Sequence, residues 1–258
     1  MNILELLADR ARERVSFSKA TVSLEQMKVK ALSLPKLDND FRKALQKEDI
    51  AFICECKKAS PSKGMIAEEF PYLEIAEDYE KAGADCISVL TEPSKFLGSN
   101  TYLEEIAQKV NIPCIRKDFT VDSYMIYEAR VLGAKAVLLI CSILSKEQLK
   151  EYIGVCRELG LSALVEAHDE GEIEAALNAG ADMIGVNNRD LKDFSVDTGN
   201  SRRLRSLVPD DVVFVSESGV KNAHDIQELR EAGVNAVLIG ETLMRAKDKK
   251  QMLLELKG

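Results

Sequence analysis

The sequence predicts an α/β chain folded as a (β/α)8 TIM barrel, with an N-terminal helical extension over the catalytic face. Three observations carry that prediction. Short β-branched runs recur eight times, each separated from the next by an amphipathic stretch long enough for one helix, an alternation that makes βαβ units and a parallel sheet. Four strand entrances echo one another as "KAGADCI", "LGAKAVL", "NAGADMI" and "EAGVNAV", each with a glycine just past a helix. The length, 258 residues with 46% hydrophobic side chains, matches the roughly 250 residues that one such barrel uses. A doubly wound sheet would share the glycine caps, but eight units favour closure. The expected organisation is a single domain over residues 1–258, with 1–49 as the extension and 50–258 as the barrel.

Before the first strand, "ILELLADRARERV", "SLEQMKVKAL" and "DNDFRKALQKE" have helical patterning, and Asp38 is the expected N-cap of the third. These segments are too short and too closely joined for a domain of their own. They are expected to plug one end of the barrel and, on a sharper reading, to help wall a ligand site. Strands are expected at 50–55, 85–90, 112–117, 136–140, 162–167, 182–187, 212–217 and 235–240. Between them, segments such as "YLEIAEDYEKAG" and "VDSYMIYEARVLG" place apolar residues at helical spacing. Gly83, Gly133, Gly180 and Gly233 are expected to end helices in the left-handed conformation, which only a residue without Cβ adopts cheaply.

Charge and composition remove several classes of function. A formal net charge of −8, with no basic stripe or aromatic-basic cluster to offset it, argues against a nucleic-acid ligand. No apolar run approaches the roughly 20 residues of a membrane span, and "MNILELLADRARERV" is acidic and lacks the apolar core of an export signal. Neither membrane nor secretion is expected, and the cytoplasm is the expected compartment. Cys54, Cys56, Cys86, Cys114 and Cys141 fall in hydrophobic strand-like runs with no C-x-x-C pair, and the chain has 2 histidines, so the cysteines read as reduced core residues and no metal site is expected. An anionic ligand would require positive charge concentrated locally.

Reacting groups in barrels of this class sit at the C-terminal strand ends. Side chains alternate along a strand, so Ala51, Ile53, Glu55 and Lys57 share one face of the first and Phe52, Cys54 and Cys56 the other. The first set ends in charge. Pro113, Ile115 and Lys117 repeat the pattern in the third strand, and Leu164 and Glu166 in the fifth; the sixth ends in Asn187, Asn188 and Arg189, the seventh in Glu217, Ser218 and Gly219. Any one of these is more often a solvated rim residue than a reacting group. Together, two lysines and at least two glutamates at one rim shift each other's proton affinity, as acid and base chemistry at neutral pH requires. The last two strands continue as "ESGVKNAHDI" and "IGETLMRA", a glycine and then a helix start, where barrels often bind phosphate through backbone N–H groups. Either glycine alone could simply make the turn. Glu241 is awkward there, since its carboxylate would have to point away from the anion and leave its N–H to bind. Ser60, Pro61 and Ser62 read as turn residues, and His168 and His224, near helix starts, as structural.

The segments "ECKKASPSKG", "IRKDF", "LVEAHDE", "IGVNNRDL", "VSESGV" and "LIGETLM" resemble, in order and spacing, the signature segments of the indole-3-glycerol phosphate synthase family. The resemblance runs from the N-terminal helices to about residue 246. It implies a barrel enzyme of tryptophan biosynthesis, a carboxy-lyase that works without cofactor or metal. The implied reaction converts 1-(2-carboxyphenylamino)-1-deoxyribulose 5-phosphate to indole-3-glycerol phosphate, carbon dioxide and water. It also implies roles. Lys117 resembles the general acid of ring closure, and Glu166 and Lys57 the acid–base pair of the dehydration, Lys57 also meeting the substrate carboxylate. Glu55 and Asn187 match groups that hold the lysines and substrate hydroxyls in line, and Glu217 another residue of the polar cluster. Ser60 and Arg189 match substrate-lining positions, Phe119 and Leu138 would pack the anthranilate ring, and Ser218, Gly219, Gly240 and Glu241 match the phosphate cradle, the last mainly through its N–H. The expected ligand is a small anionic phosphate ester. The expected assembly is a monomer or weak homo-oligomer, with contact to other tryptophan-pathway enzymes as a further expectation.

Three loops depart from the family pattern: "PSKFLGSNTYL", where Leu97 stands in a context expected to hold a polar residue, "CSILS" and "FSVDTGNS". Three rival readings share parts of the pattern. Phosphoribosylanthranilate isomerase and the tryptophan synthase α subunit share the glycine-ended strands but need other acids and bases than Lys57, Lys117 and Glu166. A Schiff-base aldolase needs a nucleophilic lysine, often late in the barrel, where the sixth strand here ends in asparagines. A non-catalytic phosphate-binding module would have no use for both lysines and both glutamates.

Overall fold

The computed structural model describes residues 2–190 and 194–258. Eight strands, β1 (Ala51–Cys56), β2 (Cys86–Leu90), β3 (Cys114–Lys117), β4 (Ala136–Ile140), β5 (Ser162–Ala167), β6 (Met183–Asn187), β7 (Val213–Glu217) and β8 (Ala236–Ile239), close into a parallel barrel. Each pairs with its neighbours in sequence, and β8 returns to β1 with Ala51 opposite Ala236. Closure removes the doubly wound alternative. The strands begin and end within a residue or two of the expected ranges. The third starts late because Pro113 has no N–H for the ladder, although its carbonyl still accepts from Ile87.

Glycines set the helix ends as expected. Gly83, Gly133, Gly180 and Gly233 have φ of 83°, 91°, 90° and 76°. The helix starts are marked by side chains that satisfy otherwise free N–H groups: Ser99, Asp122, Ser145, Asp169 and Asn222 each accept from the first turn of the helix that follows.

The N-terminal extension wraps the barrel from mouth to floor. Helix α1 (Ile3–Thr21) lies across the C-terminal mouth, where Arg14 forks onto Asp118 at 2.7 and 3.0 Å and Lys19 meets Asp122 at 2.7 Å, both in the connection after β3. Helix α2 (Leu24–Ser33) packs on the outer helix Ser123–Val131. Helix α3 (Asp40–Leu45) sits at the opposite end: Phe41 and Leu45 are fully buried, the Arg42 N–H donates to Ser162 Oγ, and its guanidinium donates to the carbonyls of Asp182 and Asp211 at the strand entrances. A plug at one end is therefore only part of what the extension does. Asp38 is not the N-cap of α3. Asn39 takes that place in the left-handed region at φ 52°, with no side-chain cap, while Asp38 pairs with Lys43.

Cys54, Cys56, Cys86 and Cys114 are buried and free, as expected, and burial pushes each thiol up. Cys141 is different: it opens the 3₁₀ turn Cys141–Ile143 just after β4 and is only half-buried. Among the described residues no helix is long and apolar enough to cross a membrane.

Candidate active site

The C-terminal strand ends surround a cavity of about 520 Å³, roofed by Ile3, Leu4 and Leu7 of α1. Every residue that the family resemblance matched to a site position lines it, while Asn188, also at the end of β6, is buried beneath the rim. Glu55, Lys57, Lys117, Glu166, Asn187 and Glu217 form its polar floor. Phe119 and Leu138 form an apolar wall, and Ser60, Arg189, Ser218, Gly219, Gly240 and Glu241 line the rim. Their strands are far apart in sequence, and barrel closure is what brings their ends to one place.

Lys117 is the centre of the floor. Its ammonium donates to Glu166 Oε2 at 3.1 Å and to Glu217 Oε2 at 2.9 Å, and both carboxylate side chains are 2% exposed. On the next strand but one, Lys57 Nζ lies 2.6 Å from Glu55 Oε1, and Ser88 donates to the other Glu55 oxygen. Asn187 Oδ1 accepts from Ser218 Oγ and from the Arg189 N–H, which turns its amide nitrogen toward Glu166 Oε1 at 3.4 Å. Two glycines make room for this. A Cβ on Gly185 would lie 2.2 Å from Glu217 Oε1, and one on Gly240 would lie 2.4 Å from Glu55 Oε1 and 2.7 Å from Lys57 Nζ. The space that Gly240 leaves is thus filled by the Glu55–Lys57 pair.

Burial and charge pull these groups apart in proton affinity. Burial alone would lower the Lys117 ammonium, but Glu217, Glu166 and Glu55 outweigh it and hold it above the ordinary lysine range. Burial would raise Glu166 as well, yet Lys117, His168 and Asn187 outweigh that, and Glu166 stays below the usual carboxylate range. Glu217 goes the other way. Burial pushes it up, Lys117 draws it back, and the neighbouring carboxylates add to the rise, leaving it at about 7. The asymmetry has a geometric counterpart: among the described residues Glu217 Oε1 is buried without a hydrogen-bond partner, whereas both Glu166 oxygens face donors. The two carboxylates titrate together, with Lys117 between them.

At the rim, Ser218 and Gly219 have φ of 68° and 97°, and a Cβ on Gly219 would meet Thr198 at 2.7 Å. Asn188 fixes this turn through the Ser218 carbonyl. Lys63, Arg189, Lys221 and Arg245 line the same side, the local positive charge that an anionic ligand needs in an acidic chain. The Glu241 carboxylate does not simply turn away from the rim; it pairs with Arg245 at 3.0 Å and faces Lys63 and Arg189 at 3.7 and 3.8 Å.

Three residues escaped the sequence reading. His168, read as structural, stands 3.5 Å from Glu166 Oε1. Phe96, in the loop judged off-pattern, lines the cavity and lies 6.3 Å from Phe119 between ring centroids. Leu97 adopts φ 52° beside it, and Gly98 presses so close to the β2 end that a Cβ would lie 2.3 Å from the Leu90 carbonyl. Arg14 is far from any strand end in sequence, yet it neutralises Asp118 between Lys117 and Phe119. An aromatic before a glycine, and a histidine four residues before a glutamate, were the available signals for the first two; Arg14 had none.

A closed parallel barrel with a lysine between two buried carboxylates at its mouth, and a basic rim beyond them, defines an acid–base enzyme of the (β/α)8 class with a site for a small anion. A family model described as indole-3-glycerol phosphate synthase matches residues 4–256, and the chain belongs to that family of carboxy-lyases. It is 54% identical over 257 residues to an indole-3-glycerol phosphate synthase of Ruminiclostridium cellulolyticum, and 56% identical over 257 residues to one of Endomicrobium trichonymphae. Each alignment covers 99% of both chains. Among solved structures, the tryptophan synthase complex from Pyrococcus furiosus matches with a TM-score of 0.61 at 13% identity, covering 81% of this chain and 98% of that one. KGPDC from Streptococcus mutans matches with a TM-score of 0.64 at 11% identity, covering 81% and 96%. At such identities these two likenesses speak for the barrel alone.

Proposed function

We propose that this cavity closes the indole ring of 1-(2-carboxyphenylamino)-1-deoxyribulose 5-phosphate, with Lys117 as the acid of the first step. The aromatic carbon bearing the carboxylate attacks the C2′ carbonyl, and the carbonyl oxygen takes a proton from Lys117 as the new C–C bond forms. Carbon dioxide then leaves and aromaticity returns. The C2′ hydroxyl departs as water while a proton leaves the neighbouring carbon, with Lys57 and Glu166 as acid and base. Glu55 orients Lys57; Asn187 orients Glu166 and a substrate hydroxyl. Glu217 holds Lys117 and buffers the cluster's proton, which suits a site that must both give and take one. Phe119 and Leu138 take the anthranilate ring, Ser60 and Arg189 line the sugar chain, and Ser218, Gly219, Gly240 and the Glu241 N–H receive the phosphate.

The observation that carries this reading is Lys117 held between Glu166 and Glu217 beside the Lys57–Glu55 pair, at one end of one cavity. On the same reading the enzyme works in the cytoplasm as a monomer or weak homo-oligomer. Arg14, Lys19 and Arg42 tie the extension to the barrel, so the two act as one domain. The test is to follow indole absorbance and fluorescence after mixing protein with this substrate in buffer containing a chelator. Indole formation is expected; binding without product would instead favour a phosphate-binding module.

A further inference from the structure

His168 faces the floor cluster and has no part in the assignments above. It directly follows β5, and its ring is held between two carboxylates: Nδ1 lies 3.0 Å from Glu172 Oε2, and Nε2 lies 3.5 Å from Glu166 Oε1. Nε2 is buried and, among the described residues, has no hydrogen-bond partner. The residue cannot easily turn away. Glu172 also accepts the His168 backbone N–H at 2.8 Å and the Ser142 hydroxyl, while Asn200 donates to the His168 carbonyl at 3.1 Å. Glu172 sits in the first turn of the helix Glu170–Ala179, four residues beyond His168, so the start of that helix aims the ring. The charged groups around it are Glu166 from its own strand, Glu172 from the helix, Glu217 from β7, and Lys117 of β3 beyond Glu166. Burial by itself would disfavour the imidazolium, but these carboxylates outweigh it and push His168 up to about 9.

We propose that His168 is a positioning residue for Glu166: aimed by Glu172, its imidazolium keeps Glu166 ionised and oriented as a base. The inference rests on Glu166 being the base of the dehydration. It predicts more than a loss of rate, because an imidazolium acts through its charge as well as its N–H.

The test compares pH profiles of kcat and kcat/KM for His168→Gln, His168→Ala, Glu172→Gln and the control Glu166→Gln. His168→Ala is expected to lower kcat about tenfold with KM nearly unchanged, and to move the acid limb up by about one pH unit, because Glu166 loses a nearby cation. His168→Gln, which keeps a neutral N–H near the Nε2 position, is expected to recover most of kcat at pH 8 while keeping the displaced limb. Glu172→Gln is expected to move the limb in the same direction by less. Acid limbs for His168→Gln and Glu172→Gln that superimpose on wild type would overturn the proposal even if His168→Ala fails to fold. If those limbs superimpose while Glu166→Gln is inactive, only the role of His168 falls; if Glu166→Gln turns over normally, the underlying assignment of the base falls with it.

Discussion

Replacing Lys117 by alanine removes the ammonium that Glu166 and Glu217 share. A positioned general acid contributes roughly 10²–10⁴ in rate, or about 3–5 kcal/mol of barrier at 1.36 kcal/mol per decade. The loss is expected toward the upper end. Without the ammonium, two buried carboxylates are left facing each other, at least one takes up a proton, and the base function of Glu166 suffers along with the acid function of Lys117. Binding is expected to persist, because the basic rim of Lys63, Arg189, Lys221 and Arg245 is intact. The assay is the growth of indole fluorescence at saturating substrate, which this chain without tryptophan barely obscures, with KM measured alongside. Turnover within tenfold of wild type would refute the assignment. A large rise in KM at unchanged kcat would show that Lys117 binds substrate and donates no proton.

Gly240→Ala places a Cβ on the Glu55–Lys57 pair, and because the clash is with side chains the fold should survive while kcat falls about a hundredfold; melting temperature and turnover measured together check this. Glu217→Gln tests the raised carboxyl. With a folded value of about 7 against an unfolded one of 4.5, its favourable contribution is complete below pH 4.5 and is lost as pH rises to 7. The difference in melting temperature, variant minus wild type, should therefore become more positive between pH 5 and pH 8, and a flat difference would contradict the raised value. Arg14→Ala strips the forked partner from Asp118, which is buried, although Thr91 and the Phe119 N–H still donate to it. A loss of about 2 kcal/mol in urea unfolding is expected, with a rise in KM as α1 loosens over the cavity; an unchanged KM would separate α1 from the site.

The strand ends were legible because alternation and helical spacing are local properties. Glu55 and Lys57 follow an apolar run at a spacing of two, so the sequence by itself determined that they leave β1 on one face, and eight such runs with glycine-ended helices determined the class of fold. The order of the motif segments carried the family. What it did not carry was distance across the barrel: Lys117 meets carboxylates 49 and 100 residues away, and their separation and burial decide which one holds a proton. The same holds for the residues that were missed. Asn39 replaced Asp38 at the start of α3 in a segment whose Leu37 and Asn39 N–H groups are tied to the carbonyls of Leu159 and Gly160, partners 120 or more residues away in sequence. His168 looked like an ordinary residue before a helix; its spacing of two from Glu166 is local, as for Glu55 and Lys57, but only closure of β5 beside β6 and β7 brought its ring within reach of the Glu217 charge. Periodicity along a chain fixes which face a side chain takes. Proton affinity depends on desolvation and on charges that only the folded barrel brings within a few ångströms.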